Sequence, residues 1–198
     1  GSFGGTVANP LHVLAELLAS LHAPDGQISV DGFYDDVVTL TPEERAQIAA
    51  VPFDEADFKA QIGVEELFGE PGYSPLERTW IRPTLEINGM WGGFTGEGTK
   101  TVLPKEAHAK ISCRLVPNQD PARIQQLLQA HIAKHAPRGV RVVARPGSAL
   151  AYPYQVPRDH PGNVAARAVL TEVYGREPYH VRGGGSVPVC ETFLRHLG

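Results

Sequence analysis

The chain has 198 residues, of which 42% are hydrophobic, so it can bury the core of one large domain or of one domain plus a fragment of another. A net charge of -4 and a pI near 6.1 give no basic surface, which argues against a nucleic-acid partner. No apolar run reaches membrane-spanning length, and two cysteines far apart in sequence predict reduced thiols in a cytoplasmic protein without a membrane partner.

The first predicted element is a helix that begins at Pro10, with Asn9 as its N-cap. Leucines recur at helical spacing along it, and the Pro24-Asp25-Gly26 turn ends it. Residues 27–30 then predict a short strand.

Residues 33–82 predict a largely helical insertion built from short pieces. Thr41 to Glu44 and Ser74 to Glu77 are capping boxes with proline at the first helical position, and residues 54–61 predict a further short helix. The acidic pairs in this region favour a surface loop and a first helical turn over a metal site, because a helix N-terminus stabilises acids; these residues are Asp35, Asp36, Glu43 and Glu44.

The stretch from Arg82 to Pro117 predicts two strands that flank a glycine-rich tongue. In the second strand, predicted over 105–116, apolar and polar residues alternate, so one face is apolar and the other carries Lys110 and Arg114. Glycines 92, 93, 96 and 98 permit close approach of the tongue backbone to a ligand. The alternative for the tongue is a loose hairpin tip without a ligand. The alternative for Arg114 is an ordinary cross-strand ion pair.

After this hairpin, Asp120-Pro121 predicts an amphipathic helix and residues 140–144 predict another strand. His131 and His135 have the spacing of helical zinc ligands, but no carboxylate base lies between them, which favours surface histidines. The order helix, insertion, strand, strand, helix, strand matches a ferredoxin-like split βαβ pattern without its first strand, so we expect an α+β fold with an antiparallel sheet and helices on one face.

Prolines and glycine over 145–158 indicate a linker or a domain crossing, and a helix is predicted over 161–174. The run Gly183-Gly184-Gly185-Ser186 then makes a backbone-lined anion pocket plausible. It lacks the lysine of a P-loop and the glycine pattern of a nucleophile elbow, so it predicts neither a phosphate site nor a catalytic serine.

Three stretches of the chain together resemble one family. They are GSFGGTVANP at 1–10, the tongue and second strand at 92–117, and RGGGSVP at 182–188. These resemble the dinuclear-zinc metallopeptidases that include cytosolic dipeptidases, carnosinases, succinyl-diaminopimelate desuccinylases and aminoacylases, and the dipeptidase branch most closely.

The resemblance implies that residues 1–150 form a lid and dimerisation domain, with the helical insertion at 33–82. Residues 151–198 would be a partial return into an α/β zinc-peptidase catalytic domain. The family's metal-ligand motifs are not found in the sequence, and the histidine motif that precedes G-x-F-G-G in family members is not found either. We therefore expect a portion of a longer, zinc-dependent enzyme that carries no catalytic residues, binds no metal alone and forms a homodimer through the lid.

The resemblance also implies which residues contact substrate. Thr101 would contact it across the dimer, Arg114 would bind its C-terminal carboxylate, and Ser186 would lie beside that carboxylate with the backbone of Gly184 and Gly185. The substrate would be a small peptide or an acyl amino acid. A free-standing dimerisation or binding module without catalytic activity is the alternative.

Overall fold

The computed structural model describes residues 2–147, 150–183 and 187–197. In chain order these residues form α1 (Pro10–Ala19), α2 (Pro42–Ala49), α3 (Glu55–Ile62), α4 (Pro75–Trp80), β1 (Thr84–Gly92), β2 (Ala107–Arg114), α5 (Pro121–His135), α6 (Pro161–Tyr174) and α7 (Pro188–Leu197). The expected α+β class is confirmed. None of the described helices has both the length and the apolar character that a bilayer crossing requires.

The helix starts are those that the local sequence predicts. The Asn9 side chain accepts a hydrogen bond from the Leu11 N–H at 2.9 Å. Both capping boxes form, and in the first of them the Thr41 N–H donates to Glu44 Oε2 at 2.9 Å while the Glu44 N–H donates to Thr41 Oγ1 at 3.2 Å. These contacts satisfy amide groups that the helices cannot pair internally.

The two strands form an antiparallel hairpin with a bulge at Asn88. Ile87 lies opposite Ile111, but Gly89 lies opposite Lys110, so the first strand contains one extra residue between these pairs. The extra residue reverses which face of the sheet the following side chains occupy. As a result Trp91 lies on the polar face of the hairpin, opposite His108.

The apolar face of the hairpin packs against α1 and α5. The buried cluster joins Leu85 of β1 to Leu18 and Ile124 of these helices, and Ala109, Ile111 and Cys113 of β2 pack against it. Residues 108, 110, 112 and 114 are exposed while their neighbours are half-buried, as the alternation of β2 predicts. The expected arrangement, an antiparallel sheet with helices on one face, is therefore confirmed.

A tight turn connects β2 to α5. The Gln119 N–H donates to the Val116 carbonyl at 3.2 Å, with Pro117 and Asn118 between them, and Asn118 has φ = 75°. Proline followed by a residue with positive φ is the pattern of a type II turn. The buried Gln119 side chain accepts from the Val116 N–H at 3.0 Å and donates to the Phe33 carbonyl at 2.8 Å, which ties the turn to the start of the insertion.

The helical insertion, residues 33–82, has its own small core and a buried ion pair at its last residue. Leu40, Ile48 and Ile81 form the core. Arg82 pairs with Glu70 through two contacts of 2.6 Å, and both side chains are largely buried. The Arg82 guanidinium also lies 4.7 Å and 4.5 Å from the ring centroids of two tyrosines, Tyr34 and Tyr73.

A second buried acid joins α2 to α4 within the insertion. Arg45 Nε donates to Glu77 Oε1 at 2.6 Å. Burial of Glu77 acts to raise its pKa, but hydrogen bonds from Arg45 and from Ser74 outweigh burial, so the pKa of Glu77 is lowered overall. The insertion is therefore fixed by charged contacts as well as by apolar packing.

Two predicted strands are not formed. Residues 140–144 do not form a strand, and β1 pairs with β2 alone in the described part of the chain. Residues 27–30 contribute an isolated bridge between Ile28 and His22 instead of a strand. Strand β2 is also shorter than predicted, because pairing with β1 ends at Ala107 and Arg114.

The prediction that His131 is a surface residue is wrong. Its side chain is buried, its Nε2 lies 3.0 Å from Ser20 Oγ, and its ring stacks on His135 at 4.0 Å. Burial lowers the pKa of His131, and the neighbouring His135 lowers it further. The i, i+4 spacing here stacks the two histidine rings and places His131 against the C-cap of α1.

The lowered pKa of His131 predicts a pH-dependent stability. A free histidine titrates near pH ~6.5, so between that pH and the lower folded-state pKa the unfolded chain binds more protons than the folded chain. The free energy of unfolding should therefore fall as pH decreases from about 7 to 5. Urea unfolding at several pH values measures this slope.

The variant His131→Gln should reduce that slope because Gln carries no titrating group. His12→Gln, at an exposed position on α1, is the matched control and should leave the slope unchanged. An equal slope in the wild type and in His131→Gln would show that His131 does not cause the loss of stability.

Candidate substrate-binding site

Arg114 is the last residue of β2 and lies on the exposed, polar face of the hairpin. Thr84 lies directly opposite Arg114, and Glu86 is the diagonal neighbour of Arg114 on β1. No ion pair or hydrogen bond joins the Arg114 side chain to any residue in the described part of the chain. The cross-strand ion pair considered as an alternative is thus not formed with the described residues, and the planar donor group of Arg114 faces outward.

The segment that follows the linker meets this same end of β2. Val116 and Pro117, two and three residues after Arg114, line a small crevice together with Arg182 and Gln155. Arg182 in turn lies 3.4 Å from Glu44 of α2. The structure thus brings the segment before the glycine run near the carboxyl end of β2.

Thr101 lies near the other end of the hairpin. Its neighbour Lys100 has its Nζ 5.4 Å from the ring centroid of Phe94 in the tongue. Strand β2 begins after this segment and runs eight residues to Arg114, a distance of about 24 Å at ~3.4 Å per residue. Within one copy of the chain, the length of β2 therefore separates Arg114 from the start of the strand, which lies six residues after Thr101.

Gly184, Gly185 and Ser186 lie outside the described residues. Their predicted place beside the substrate carboxylate stays a prediction. Gly183, the first glycine of the run, is the last described residue before them.

The sequence analysis missed an aromatic and cationic group on the polar face. Trp91 stacks on His108 with ring centroids 5.1 Å apart, and Lys110 Nζ lies 5.9 Å from the Trp91 centroid. The bulge at Asn88 places Trp91 on this face. The signal was the Asn88-Gly89 pair inside the strand, because glycine within a strand pattern often marks a bulge.

The titratable residues that the structure describes in this region make contacts other than to a metal ion. Among the described residues no group of three or more histidine, cysteine, aspartate or glutamate side chains is placed to hold an ion. Asp35 and Asp36 instead pair with Arg123, each at 3.2 Å. Burial raises the pKa of the Cys113 thiol to about 11, so this cysteine is a protonated core residue.

Comparison with known proteins identifies the family. The family described as "Peptidase dimerisation domain", of the M20 peptidases, matches residues 1–140. The chain is 32% identical over 200 residues to the Cys-Gly metallodipeptidase of Schizosaccharomyces pombe, an alignment that covers 100% of this chain and 42% of that protein. It is 32% identical to the human Beta-Ala-His dipeptidase, over 98% of this chain and 38% of that protein.

Solved structures give the same result. The M20 family metallo-carboxypeptidase of Sulfolobus solfataricus matches with a TM-score of 0.79 at 32% identity, covering 98% of this chain and 44% of that one. Human carnosine dipeptidase 1 matches with a TM-score of 0.80 at 31% identity, covering 98% and 42%. The chain thus spans about two-fifths of the length of these proteins, and through residues 1–140 it belongs to the M20 peptidase dimerisation-domain family.

Proposed function

We propose that this chain is the dimerisation and substrate-carboxylate-binding portion of a zinc-dependent dipeptidase that hydrolyses dipeptides or N-acyl amino acids. The observation that carries the proposal is the exposed Arg114 at the end of a strand whose other face forms the core. The family match supports dimerisation, and the relatives named as dipeptidases support the substrate class. A free-standing binding module receives no support from these relatives, which are named as peptidases.

Arg114 would bind the C-terminal carboxylate of the substrate. A guanidinium offers parallel N–H donors that match the two carboxylate oxygens, and such charge-assisted pairs are stronger than neutral hydrogen bonds. Ser186, with the backbone of Gly184 and Gly185, would complete this carboxylate site. The approach of Arg182 to the end of β2 supports this assignment, because the glycine run begins at the next residue.

Thr101 would contact substrate bound by the partner in a homodimer. Two extended residues span at most about 7 Å, far less than the ~24 Å length of β2. One dipeptide at Arg114 is therefore poorly placed to reach the tongue end of the same hairpin. In a homodimer, Thr101 of one chain could instead contact the dipeptide that is bound at Arg114 of the other chain.

The proposed domain division assigns residues 1–150 to the lid and 151–198 to a partial return into the catalytic domain. The described residues do not fit a dinuclear metal site, so the two zinc ions would be held by other parts of the enzyme. The residues of this chain would bind and orient substrate. We propose a cytoplasmic location, which the two unpaired cysteines support.

Replacing Arg114 by alanine in the full-length enzyme should weaken substrate recognition without unfolding the protein. The side chain is exposed, so its removal leaves no apolar cavity. A charge-assisted hydrogen bond contributes about 1.5–3 kcal/mol, so kcat/KM for dipeptides should fall roughly 10- to 150-fold. Steady-state kinetics and thermal unfolding measure the two effects.

Three controls distinguish recognition from a structural role. Arg114→Lys should recover only part of the activity, because an ammonium lacks the planar donor fork. Lys110→Ala, on the same face of β2, should remain near wild type. A dipeptide amidated at its C-terminus should be a poor substrate that is indifferent to Arg114→Ala. Equal loss with both substrates, or a melting temperature lower by many degrees, would make Arg114 structural.

The 198-residue chain should not retain zinc stoichiometrically. Closed zinc sites need about four converging ligands and hydrolytic sites about three plus water, and the described residues offer no such group. Metal analysis after dialysis against zinc should find well under one ion per chain, whereas the full-length enzyme should hold two. Stoichiometric zinc in the short chain would contradict the proposed placement of the metal ligands.

The chain should form a homodimer in solution. Light scattering at rising concentration should approach twice the 21.4 kDa mass of one chain. Residues of the tongue and hairpin carry exposed large apolar side chains, among them Met90, Trp91 and Phe94, and burying such surface favours association. A mass that stays at one chain at high concentration would count against the dimerisation role.

A further inference from the structure

One carboxylate connects the helical insertion to the segment that enters the glycine run. Glu44 Oε2 accepts from the Thr41 N–H at 2.9 Å as part of the capping box of α2. The other oxygen, Oε1, lies 3.4 Å from Arg182 Nη2. Arg182 is 138 residues further along the chain, so this contact is long-range.

The insertion leads directly into β1, the strand that pairs with β2. Ile81 belongs to the core of the insertion and Arg82 is clamped by Glu70, and β1 begins two residues later at Thr84. Thr84 lies directly opposite Arg114. Contacts and chain connectivity therefore link Arg182, through α2 and the core of the insertion, to the residue opposite Arg114.

Arg182 also lies where the insertion meets the end of β2. The crevice that it lines is completed by Leu40 and Ile81 of the insertion and by Val116 after β2. Arg182 thus lines a crevice that the insertion and the end of β2 share, and the relative position of these two structures sets the surroundings of Arg114. The backbone immediately after it, at Gly183, enters the glycine run.

We propose that Glu44 is a positioning residue that holds Arg182, and with it the entry to the glycine run, against the carboxyl end of β2. This assigns a role to the helical insertion: it aligns the segment after the linker with Arg114. The inference rests on the proposed function of Arg114 as the site of the substrate carboxylate. Because both side chains of the pair are partly exposed, the contact adds little to global stability and acts on local geometry.

The test is Glu44→Gln in the full-length enzyme. Glutamine can also occupy the N3 position of a capping box, so α2 keeps its N-terminal contacts while the charge that faces Arg182 is lost. Amide hydrogen exchange of residues 179–183 should become about 1.5- to fivefold faster, the range expected for an exposed ion pair, with α2 unchanged. The KM for a dipeptide with a free carboxylate should rise by a similar factor at unchanged kcat, and KM for the amidated dipeptide should not change.

Matched variants show whether the Glu44–Arg182 pair itself is responsible. Arg182→Gln should reproduce the faster exchange and the higher KM. Arg182→Lys keeps the positive charge and should retain most of the wild-type behaviour. The double variant Glu44→Gln with Arg182→Gln should be no worse than either single change. Glu43→Gln removes a charge from the same helical turn and should behave as wild type. Unchanged exchange in Glu44→Gln, or additive effects in the double variant, would overturn the inference. Wild-type enzyme inactive on dipeptides would instead overturn the proposed function, whatever the exchange result.

Discussion

The alternation of side chains along β2 is the constraint on which the fold and the site both depend. Ala109, Ile111 and Cys113 face the helices and help to form the core, so the residues between them must face the opposite way. Arg114 is thereby held outward by the same packing that stabilises the domain. A ligand-binding side chain on a rigid strand loses less freedom on binding than one on a loop.

Features set by a few neighbouring residues were predictable from the sequence. The caps at Asn9, Thr41 and Ser74, the helix over 161–174 and the two faces of β2 all form as predicted. In each case the signal and the structure lie within one helix or one strand, where capping and side-chain period dominate. The outward position of Arg114 belongs to this class.

Features that depend on distant partners were not predictable in the same way. The buried His131 contacts Ser20, the C-cap of α1, which is 111 residues away in sequence. Residues 140–144 have the composition of a strand, but a strand also needs a neighbouring edge with which to pair, and that is a property of the whole sheet. The bulge at Asn88 reverses the face of Trp91, so counting alternate residues from Leu85 gives the wrong side for it.

The ion pairs of the insertion show why geometry, rather than stability, is their main consequence. Arg82 and Glu70 are both largely buried, so the loss of hydration opposes much of their attraction, and the net gain from such a pair is small. Removing Glu70 alone, however, would leave the buried charge of Arg82 without a partner beside Tyr34 and Tyr73. The pair therefore fixes the segment around Glu70 against Arg82, the last residue of the insertion, two positions before β1 begins. Glu44 belongs to the same insertion, and its helix α2 is joined to α4 through the Arg45–Glu77 pair. An insertion that is held together by such contacts and leads directly into β1 is the condition that a positioning role for Glu44 requires.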